Sequence, residues 1–219
     1  MCIRDSLLVT GRSDAGLTQV LVPADAAGVS IEPLKGVDLT RRYGRVTFDD
    51  VRVPADAVVG ELGGADTAIE RQLRHALVIA NAESVGALQA GFDLTVEWSF
   101  DRYSFGRPLA SYQALKHRFA DMKTWLEAAH AISDEGAQAV AAGSDDAGEL
   151  VSAGKAFIGD RGIELLQDCV QIHGGIGVTF EHDLHLFLRR VMVNSAVHGT
   201  SREHLHRLAD LAEPREDAA

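Results

Sequence analysis

The sequence has few of the features that mark secreted, membrane or nucleic-acid-binding proteins. Its two cysteines, Cys2 and Cys169, are too few for a disulfide framework, and Cys169 falls on an apolar stripe, so a reducing, cytoplasmic compartment is expected. No apolar run approaches the ~20 residues of a membrane span, and no signal-peptide pattern opens the chain. Lys and Arg total 21 against 32 Asp and Glu, and the net charge of −11 argues against nucleic acid or an anionic membrane as a partner.

The stretch from Leu7 to about Val53 favours β-structure. Its apolar residues recur with a period near two, and turn-forming Gly, Pro and Asp residues interrupt the pattern. Because so small a sheet is marginal on its own, we expect the chain to start inside a β-domain whose first strands are missing, with residues 1–6 as a start-site or sequence-assembly artefact. The predicted strands are Leu7–Thr10, Leu17–Val22, Gly28–Ile31 and Tyr43–Phe48.

The rest of the chain favours helices. Asp66 is expected to cap a first helix of roughly 30 residues, Thr67–Phe100. Ser111 is expected to cap a second helix that runs to about Ala142, where Gly143 ends it. Three further helices are predicted: one after a capping box of Asp146 and Glu149 and ending at His173, a shorter one over His182–Val193, and a last one after a capping box of Thr200 and Glu203.

Long helices joined by short breaks are typical of an antiparallel bundle. The predicted fold class is therefore α+β and mainly α, with a partial antiparallel β-domain followed by an up-down four-helix bundle and short extra helices. The predicted boundaries are a truncated β-domain in residues 1–62, the bundle in residues 63–213 and a charged tail in residues 214–219.

Three motifs lie at the breaks between the predicted helices. Residues 171–177 read Gln-Ile-His-Gly-Gly-Ile-Gly; these glycines admit positive φ and the close approach of a flat ligand, although a helix C-cap and a turn explain them as well. Residues 102–108 read Arg-Tyr-Ser-Phe-Gly-Arg-Pro, and residues 197–201 read Val-His-Gly-Thr-Ser. Among the nine histidines, His182 and His185 could share a helix face, but no Cys or carboxylate spacing completes a metal site, and none is predicted.

Together these motifs resemble those of the flavin-dependent acyl-CoA dehydrogenases. The family's Arg-x-x-Phe-Gly-x-Pro signature matches residues 102–108, its Gln-x-x-Gly-Gly-x-Gly loop matches residues 171–177, and residues 48–54 resemble the end of its middle β-domain. The resemblance implies FAD as cofactor and an acyl-CoA as substrate. It also implies a dimer or tetramer, with itself or with a homologous subunit, in which FAD lies across a subunit interface. The family's N-terminal helical domain and the first half of its β-domain would be absent.

The resemblance assigns two groups of residues to the FAD of a neighbouring subunit. One group belongs to the motif at 102–108 and the helix that follows it. The other belongs to the glycine loop at 171–177, where open backbone and a nearby positive charge suit a diphosphate. With one residue from the third motif, the implied cofactor-binding residues are Arg102, Phe105, Gln113, Gln171, Gly174, Gly175 and Thr200.

The carboxylate that the family uses as its base is missing from both of its usual positions. In most members it is the Glu of a Tyr-Glu-Gly-Thr run, which aligns with Val197–Thr200 and places His198 at the Glu position. The second family position falls on Ala76, and the nearby Glu83 and Glu70 are displaced along or around the helix. Three interpretations stay open: His198 is the base, since imidazole titrates near neutrality; the base comes from another residue or a paired subunit; or the protein binds flavin without dehydrogenating.

The function implied by the resemblance is α,β-dehydrogenation of an acyl-CoA thioester, as in fatty acid or lipid β-oxidation, with electrons passed to an electron-transfer flavoprotein. The alternative is a non-catalytic partner subunit of a heteromeric acyl-CoA dehydrogenase, which completes the flavin site and the assembly. A flavin monooxygenase of the same fold is disfavoured by the dehydrogenase-type signatures. Because half of the isoalloxazine pocket would be missing, we expect the chain alone to be inactive and not to hold FAD.

Overall fold

The computed structural model describes residues 5–212, so the expectations for residues 1–4 and for the charged tail at 214–219 lie outside the described residues. Contacts divide the chain into two compact units. One holds the residues up to Gly36 together with Thr40–Leu73, and the other holds Val37–Leu39 together with the residues from Arg74 onward. The short segment 37–39 therefore belongs, by its contacts, to the unit that contains most of the helical residues.

The first unit is built on two antiparallel hairpins. β1 (Ser6–Ser13) pairs with β2 (Gly16–Pro23), and β5 (Val58–Val59) pairs with the other edge of β2, which gives the order β1-β2-β5. β3 (Val29–Leu34) and β4 (Tyr43–Phe48) form the second hairpin. The four predicted strands are confirmed, because each overlaps an observed strand of the expected antiparallel type.

The buried side of this unit is carried by β2. Thr18, Gln19 and Val22 are all buried there. The side-chain amide of Gln19 exchanges two hydrogen bonds with that of Gln72 in the following helix, at 2.8 and 3.0 Å. Buried amides need such partners to offset their loss of water, so this reciprocal pair fixes the start of the long helix within the first unit.

Five α-helices account for most of the described chain. α1 has 36 residues, somewhat more than the predicted length, and a two-stranded hairpin follows it. None of the helices between residues 5 and 212 combines the length and the apolar character that a bilayer crossing requires. The bounds are α1 (Asp66–Asp101), β6 (Tyr103–Ser104), β7 (Arg107–Pro108), α2 (Gln113–Ala142), α3 (Ala147–His173), α4 (Leu184–Ala196) and α5 (Ser201–Ala212).

α3 packs against α2, α4 and α5 and so lies at the centre of the helical unit. Glycines let α1 approach it closely: a Cβ at Gly91 would lie 2.5 Å from the Leu166 side chain, and one at Gly162 would lie 3.2 Å from that of Leu88. The resulting bundle, with its small antiparallel sheets, confirms the predicted class, α+β and mainly α. The fully buried apolar side chains include Leu77, Leu88, Met122, Leu126, Ile158, Leu165, Leu166, Leu184 and Val191.

Two of the predicted helix ends are confirmed. Thr200 and Glu203 form the predicted capping box of α5, because the Thr200 N–H donates to Glu203 Oε2 at 2.7 Å and the Glu203 N–H donates to Thr200 Oγ1 at 3.4 Å. Gly143 ends α2 in the left-handed conformation, with φ 68° and ψ 31°. Both features depend on residues within one turn of each other, which is why the sequence pattern was sufficient to predict them.

The predicted N-cap of α2 is wrong. Ser111 lies in a short 3-10 turn, where its hydroxyl donates to the Pro108 carbonyl at 2.7 Å. Tyr112 takes the N-cap position instead, and α2 begins at Gln113. The proline and the hairpin before it set the direction of the chain here, and they turn the serine hydroxyl back toward its own turn rather than toward the free N–H groups of the helix.

The predicted capping box of α3 is also wrong. Asp146 precedes the helix in a helical conformation, with φ −82° and ψ −1°, and its Oδ1 accepts a hydrogen bond from Ser144 Oγ. A capping side chain needs an extended backbone to reach the free N–H groups. For this reason Asp146 makes no side-chain cap bond within residues 5–212, and Glu149 lies in the first turn of a helix that starts without the predicted box.

Candidate functional site

The first motif forms a small hairpin directly after α1. β6 and β7 pair Tyr103 with Pro108 and Ser104 with Arg107. The two residues between them have positive φ, 50° at Phe105 and 81° at Gly106. Phe105 is 98% exposed, so the hairpin presents an aromatic ring to its surroundings at its tip.

The hairpin is held against the start of α2. The Leu109 N–H donates to the Arg102 carbonyl at 2.9 Å, and the Tyr112 hydroxyl donates to the Ser104 carbonyl at 2.6 Å. The guanidinium of Arg107 lies 3.9 Å from the centre of the Tyr112 ring, a cation–π distance. Gln113 follows in an exposed position, with its Nε2 3.3 Å from Nε2 of His117. Tyr112, which the sequence reasoning did not single out, therefore holds the hairpin against the start of α2.

The second motif ends α3 and turns the chain. Gly174 has φ 67° and ψ −138°, which favours glycine, and its N–H donates to the carbonyls of Val170 and Gln171. A Cβ at Gly177 would lie only 2.6 Å from the Val170 carbonyl oxygen, so this glycine is required by close packing. At Gly174 and Gly175, by contrast, a Cβ would meet no atom of the described residues within 4 Å, and their outer faces are open. Gln171 is exposed beside them.

A stacked pair of rings joins the first two motifs. The guanidinium of Arg102 lies 5.9 Å from the centre of the Trp98 ring. The Trp98 ring in turn stacks on the imidazole of His173, with centroids 5.2 Å apart and planes at 16°. His173 directly precedes Gly174, so the structure brings Arg102 and the glycine loop together in one row, which we call the Arg102–Gly174 row. Trp98 was not among the predicted site residues, although its i,i+4 spacing from Arg102 was visible in the sequence.

His173 is a buried, neutral member of this row. Its Nδ1 lies 2.8 Å from the Cys169 carbonyl, which can only accept, so Nδ1 carries the proton and Nε2 has a free lone pair. Nε2 has no hydrogen-bond partner in the described part of the chain. Burial lowers the pKa of His173; the Cys169 carbonyl opposes this effect, and His182, whose ring lies 4.5 Å away, adds to it. His173 therefore packs as an uncharged ring beneath the glycine loop.

The third motif forms the turn between α4 and α5. His198 has φ 63° and is exposed, and Gly199 has φ 103°. The carbonyl of His198 accepts a hydrogen bond from Nε2 of the buried His204 at 3.0 Å. The N–H and hydroxyl of Thr200 both bond to Glu203, at 2.7 and 2.8 Å. The Thr200 side chain is thus engaged in the helix cap.

The third motif lies far from the first two along α3. It packs on this helix at Gly159, where a Cβ would lie 2.5 Å from Ser201 Oγ. Gly159 and His173 are roughly 20 Å apart along the axis at the usual rise of 1.5 Å per residue. Within one chain, the structure therefore brings Arg102 and the glycine loop together, with Phe105 and Gln113 in the hairpin and helix start that follow Arg102, and places His198 and Thr200 elsewhere.

Comparisons with known proteins bear directly on these motifs. The family profile described as "Acyl-CoA dehydrogenase, C-terminal domain" matches residues 62–212. The chain belongs to the acyl-CoA dehydrogenase family. Members of this family are FAD-dependent oxidoreductases, so the resemblance stated from the motifs is confirmed at the level of the family.

Three relatives show how far the similarity extends. Acyl-CoA dehydrogenase IpdE2 of Mycolicibacterium smegmatis is 37% identical over 177 residues, which cover 81% of this chain and 51% of that protein. An acyl-CoA dehydrogenase from Geobacillus kaustophilus has the same fold, with a TM-score of 0.89 at 22% identity over 96% of this chain and 57% of that one. A glutaryl-CoA dehydrogenase from Mycobacterium smegmatis, in complex with FADH2, has a TM-score of 0.86 at 24% identity over 94% and 54% of the two chains. The chain spans about half the length of these acyl-CoA dehydrogenases.

Glu83, which the sequence analysis considered beside Ala76 as a position for the base, is engaged by other side chains of the helical unit. Glu83 accepts a hydrogen bond from Asn194 Nδ2 at 2.9 Å and pairs with Arg190, whose Nε lies 2.5 Å from Oδ2 of the buried Asp38. Glu83 therefore belongs to a polar cluster that ties α1 to α4.

The histidines at the start of α4 make local contacts. The Leu184 N–H donates to Nδ1 of His182 at 3.2 Å, and the His185 ring lies edge-on to Phe180, with centroids 4.9 Å apart. Between residues 5 and 212, no group of three His, Cys, Asp or Glu side chains is arranged to hold a metal ion. These rings contribute instead to the packing around the glycine loop of this acyl-CoA dehydrogenase relative.

Proposed function

We propose that this chain contributes its helical unit to an FAD-dependent dehydrogenase that oxidises an acyl-CoA thioester to its 2,3-enoyl-CoA and passes the electrons to an electron-transfer flavoprotein. In such a reaction a base of the protein takes the α-proton while a hydride leaves the β-carbon. FAD, when bound, supplies the hydride acceptor. The observation that carries this proposal is the Arg102–Gly174 row, which gathers the family's two nucleotide motifs on one surface.

The residues of the row fit one side of an FAD. An Arg102 guanidinium is suited to two parallel hydrogen bonds with a phosphate, and the exposed Phe105 ring offers an apolar face for stacking. The open faces of Gly174 and Gly175 allow a diphosphate to approach the backbone. We do not assign Thr200 a side-chain contact, since Glu203 engages its hydroxyl. The residues proposed to hold FAD are Arg102, Phe105, Gln113, Gln171, Gly174 and Gly175.

The distance between the row and the third motif supports an oligomer. A base must come within about 3 Å of the proton that it takes. Because Gly159, beneath the third motif, and His173, in the row, are roughly 20 Å apart along α3, the row and His198 cannot surround one reacting atom within a single chain. We propose that this chain pairs with a second copy or with a homologous subunit. In this pair, the Arg102–Gly174 row of one subunit binds the FAD whose reacting end faces position 198 of the other subunit.

Position 198 decides between two forms of this function. If His198 is the base, its exposed imidazole takes the α-proton directly, because imidazole is the side chain most often used as a general base. The second candidate function is a partner subunit without a base of its own, whose homologous partner carries the family's Glu. The observation that favours this second candidate is the absence of a carboxylate at both family positions, with Ala76 at one and His198 at the other.

Single-turnover reduction of the flavin tests the proposal. The flavoprotein is purified with all the subunits that accompany it, and bleaching of the flavin band by an acyl-CoA is followed anaerobically in the native protein, His198→Ala and His198→Glu. If His198 is the base, the alanine variant loses about 100-fold or more of the rate, and the glutamate variant restores it.

The other outcomes separate the remaining cases. Equal rates in the native protein and His198→Ala, together with loss of the rate when the partner's own Glu is replaced, identify this chain as the partner subunit. An assembly that contains this chain and FAD but is never reduced by any acyl-CoA, even with His198→Glu, overturns the proposed dehydrogenase function.

A further inference from the structure

The backbone at position 198 is held in a conformation that is uncommon for residues other than glycine. His198 has φ 63°, in the left-handed region, and it is one of only three non-glycine residues with positive φ in the described chain, the others being Asp50 and Phe105. Such strain persists only where the surroundings fix it, and it concentrates at functional sites. Neighbouring groups must therefore hold this turn in place.

The ring of His204 lies directly beneath the turn. Only 3% of His204 is exposed, and its Nε2 lies 3.0 Å from the carbonyl oxygen of His198. Because that oxygen can only accept, Nε2 must carry the proton, and Nδ1 is left as a lone pair. Nδ1 is buried and has no hydrogen-bond partner among residues 5–212. His204 therefore makes the hydrogen bond from Nε2 to the His198 carbonyl, while its Nδ1 is left without a partner among residues 5–212.

The neighbouring residues restrict the turn to this one shape. Gly199 has φ 103°, and a Cβ there would lie 2.9 Å from Nε2 of His204, so the ring and the backbone touch. From the other side, the capping box of Thr200 and Glu203 fixes the start of α5. Just before the turn, the ammonium of the buried Lys155 donates to the Asn194 carbonyl in the last turn of α4.

We propose that His204 is a positioning residue: its Nε2–H fixes the left-handed backbone at position 198 and thereby the direction in which the side chain at 198 leaves the turn. The part of this inference that concerns catalysis rests on the proposed function, because there position 198 faces the acyl thioester. The structural part rests only on the contacts of His204. The buried ring acts on the reaction through His198 and does not itself touch the substrate.

Two matched variants of the full chain test the structural part. Glutamine at 204 can place an amide N–H where Nε2–H lies, whereas methionine fills similar space and cannot donate. Hydrogen–deuterium exchange is measured by mass spectrometry for residues 197–204, with α2 as the internal reference. We expect exchange of the turn to rise about five-fold in His204→Met, as for the loss of one hydrogen bond, and to stay near the native rate in His204→Gln.

The outcomes are distinct. Unchanged exchange in His204→Met, or equally fast exchange in both variants, overturns the positioning role. If His204→Met does not accumulate as a folded protein, His204→Asn, whose shorter amide cannot reach the His198 carbonyl, takes its place in the comparison with His204→Gln.

In the assembled flavoprotein, His204→Met should lower the rate of flavin reduction at saturating acyl-CoA without changing KM, and His204→Gln should restore it. An assembly with FAD that no acyl-CoA reduces, even with His198→Glu, refutes the proposed function, while the exchange data alone decide whether His204 positions the turn.

Discussion

The indole of Trp98 and the imidazole of His173 stack with their centroids 5.2 Å apart and their planes at 16°. Trp98 comes from the last turn of α1 and His173 from the last residue of α3, so the stack joins the ends of two helices that are far apart in sequence. On one side it contacts Arg102, and on the other it supports the loop that begins at Gly174. The Arg102–Gly174 row therefore depends on a packing contact rather than on either motif alone.

Removal of the indole should loosen the glycine loop. We expect Trp98→Ala to lower the free energy of unfolding by about 2 kcal/mol, because a half-buried aromatic ring is lost, and to speed hydrogen exchange in residues 174–178. Trp125→Ala is the matched control, since Trp125 is also half-buried but lies under Arg161. It should lower stability without changing exchange in the loop. Equal loop exchange in the two variants would show that the stack does not support the loop.

Two glycines of the same loop should respond differently to alanine. Gly175→Ala meets open space in the described chain and should change the free energy of unfolding by less than about 0.5 kcal/mol. Gly177→Ala would place a methyl group 2.6 Å from the Val170 carbonyl oxygen and should cost about 1–3 kcal/mol. In the assembled flavoprotein, Gly175→Ala should nevertheless weaken FAD binding about ten-fold, equivalent to 1.4 kcal/mol. Urea unfolding and FAD titration measure the two effects; unweakened FAD binding in Gly175→Ala would exclude this face as the cofactor surface.

Stability should fall in mild acid because of His173. Burial holds the pKa of His173 below its ordinary value of 6.5, so the unfolded chain binds the proton first as the pH falls. The free energy of unfolding should therefore be at its full value above pH 6.5 and should decrease as the pH falls from there through the folded pKa. Urea unfolding between pH 5 and pH 8 in the native chain and in His173→Asn measures the slope, with pH values chosen around the ordinary histidine pKa. An equally steep slope in the variant would assign the acid sensitivity to other groups.

Lys155 should make the protein more stable in alkaline solution. Burial lowers its pKa from 10.5 to about 8, so between these values the unfolded chain keeps a proton that the folded chain has lost. Stability should therefore rise by about 2 kcal/mol between pH 8 and pH 10, at 1.36 kcal/mol per pKa unit. Lys155→Met, which fills similar space without a charge, should be flat over this range. A matching rise in the variant, measured by urea unfolding, would contradict the assignment to Lys155.

Much of the fold was predictable because its determinants are local. The strands around Val22 and Val46 are short runs rich in β-branched and aromatic residues, and the left-handed Gly143 and the Thr200–Glu203 box involve residues within one turn of each other. The same local reasoning failed at Ser111 and Asp146. There the direction in which the chain enters the helix, set by the Pro108 hairpin in one case and by the Ser144 hydrogen bond in the other, outweighed the residue preference.

The sequence by itself determined the family, the helices and the three motifs, because these depend on residue types at short spacings. The tertiary structure alone decided that Arg102 and Gly174 share one surface, through Trp98 and His173, and that His198 lies elsewhere along α3, over the buried ring of His204. Which motifs come together depends on which helices pack against each other and on the residues at which they make contact. That arrangement is set by the close approach of α1, α4 and α5 to the small residues of α3, such as Gly162 and Gly159.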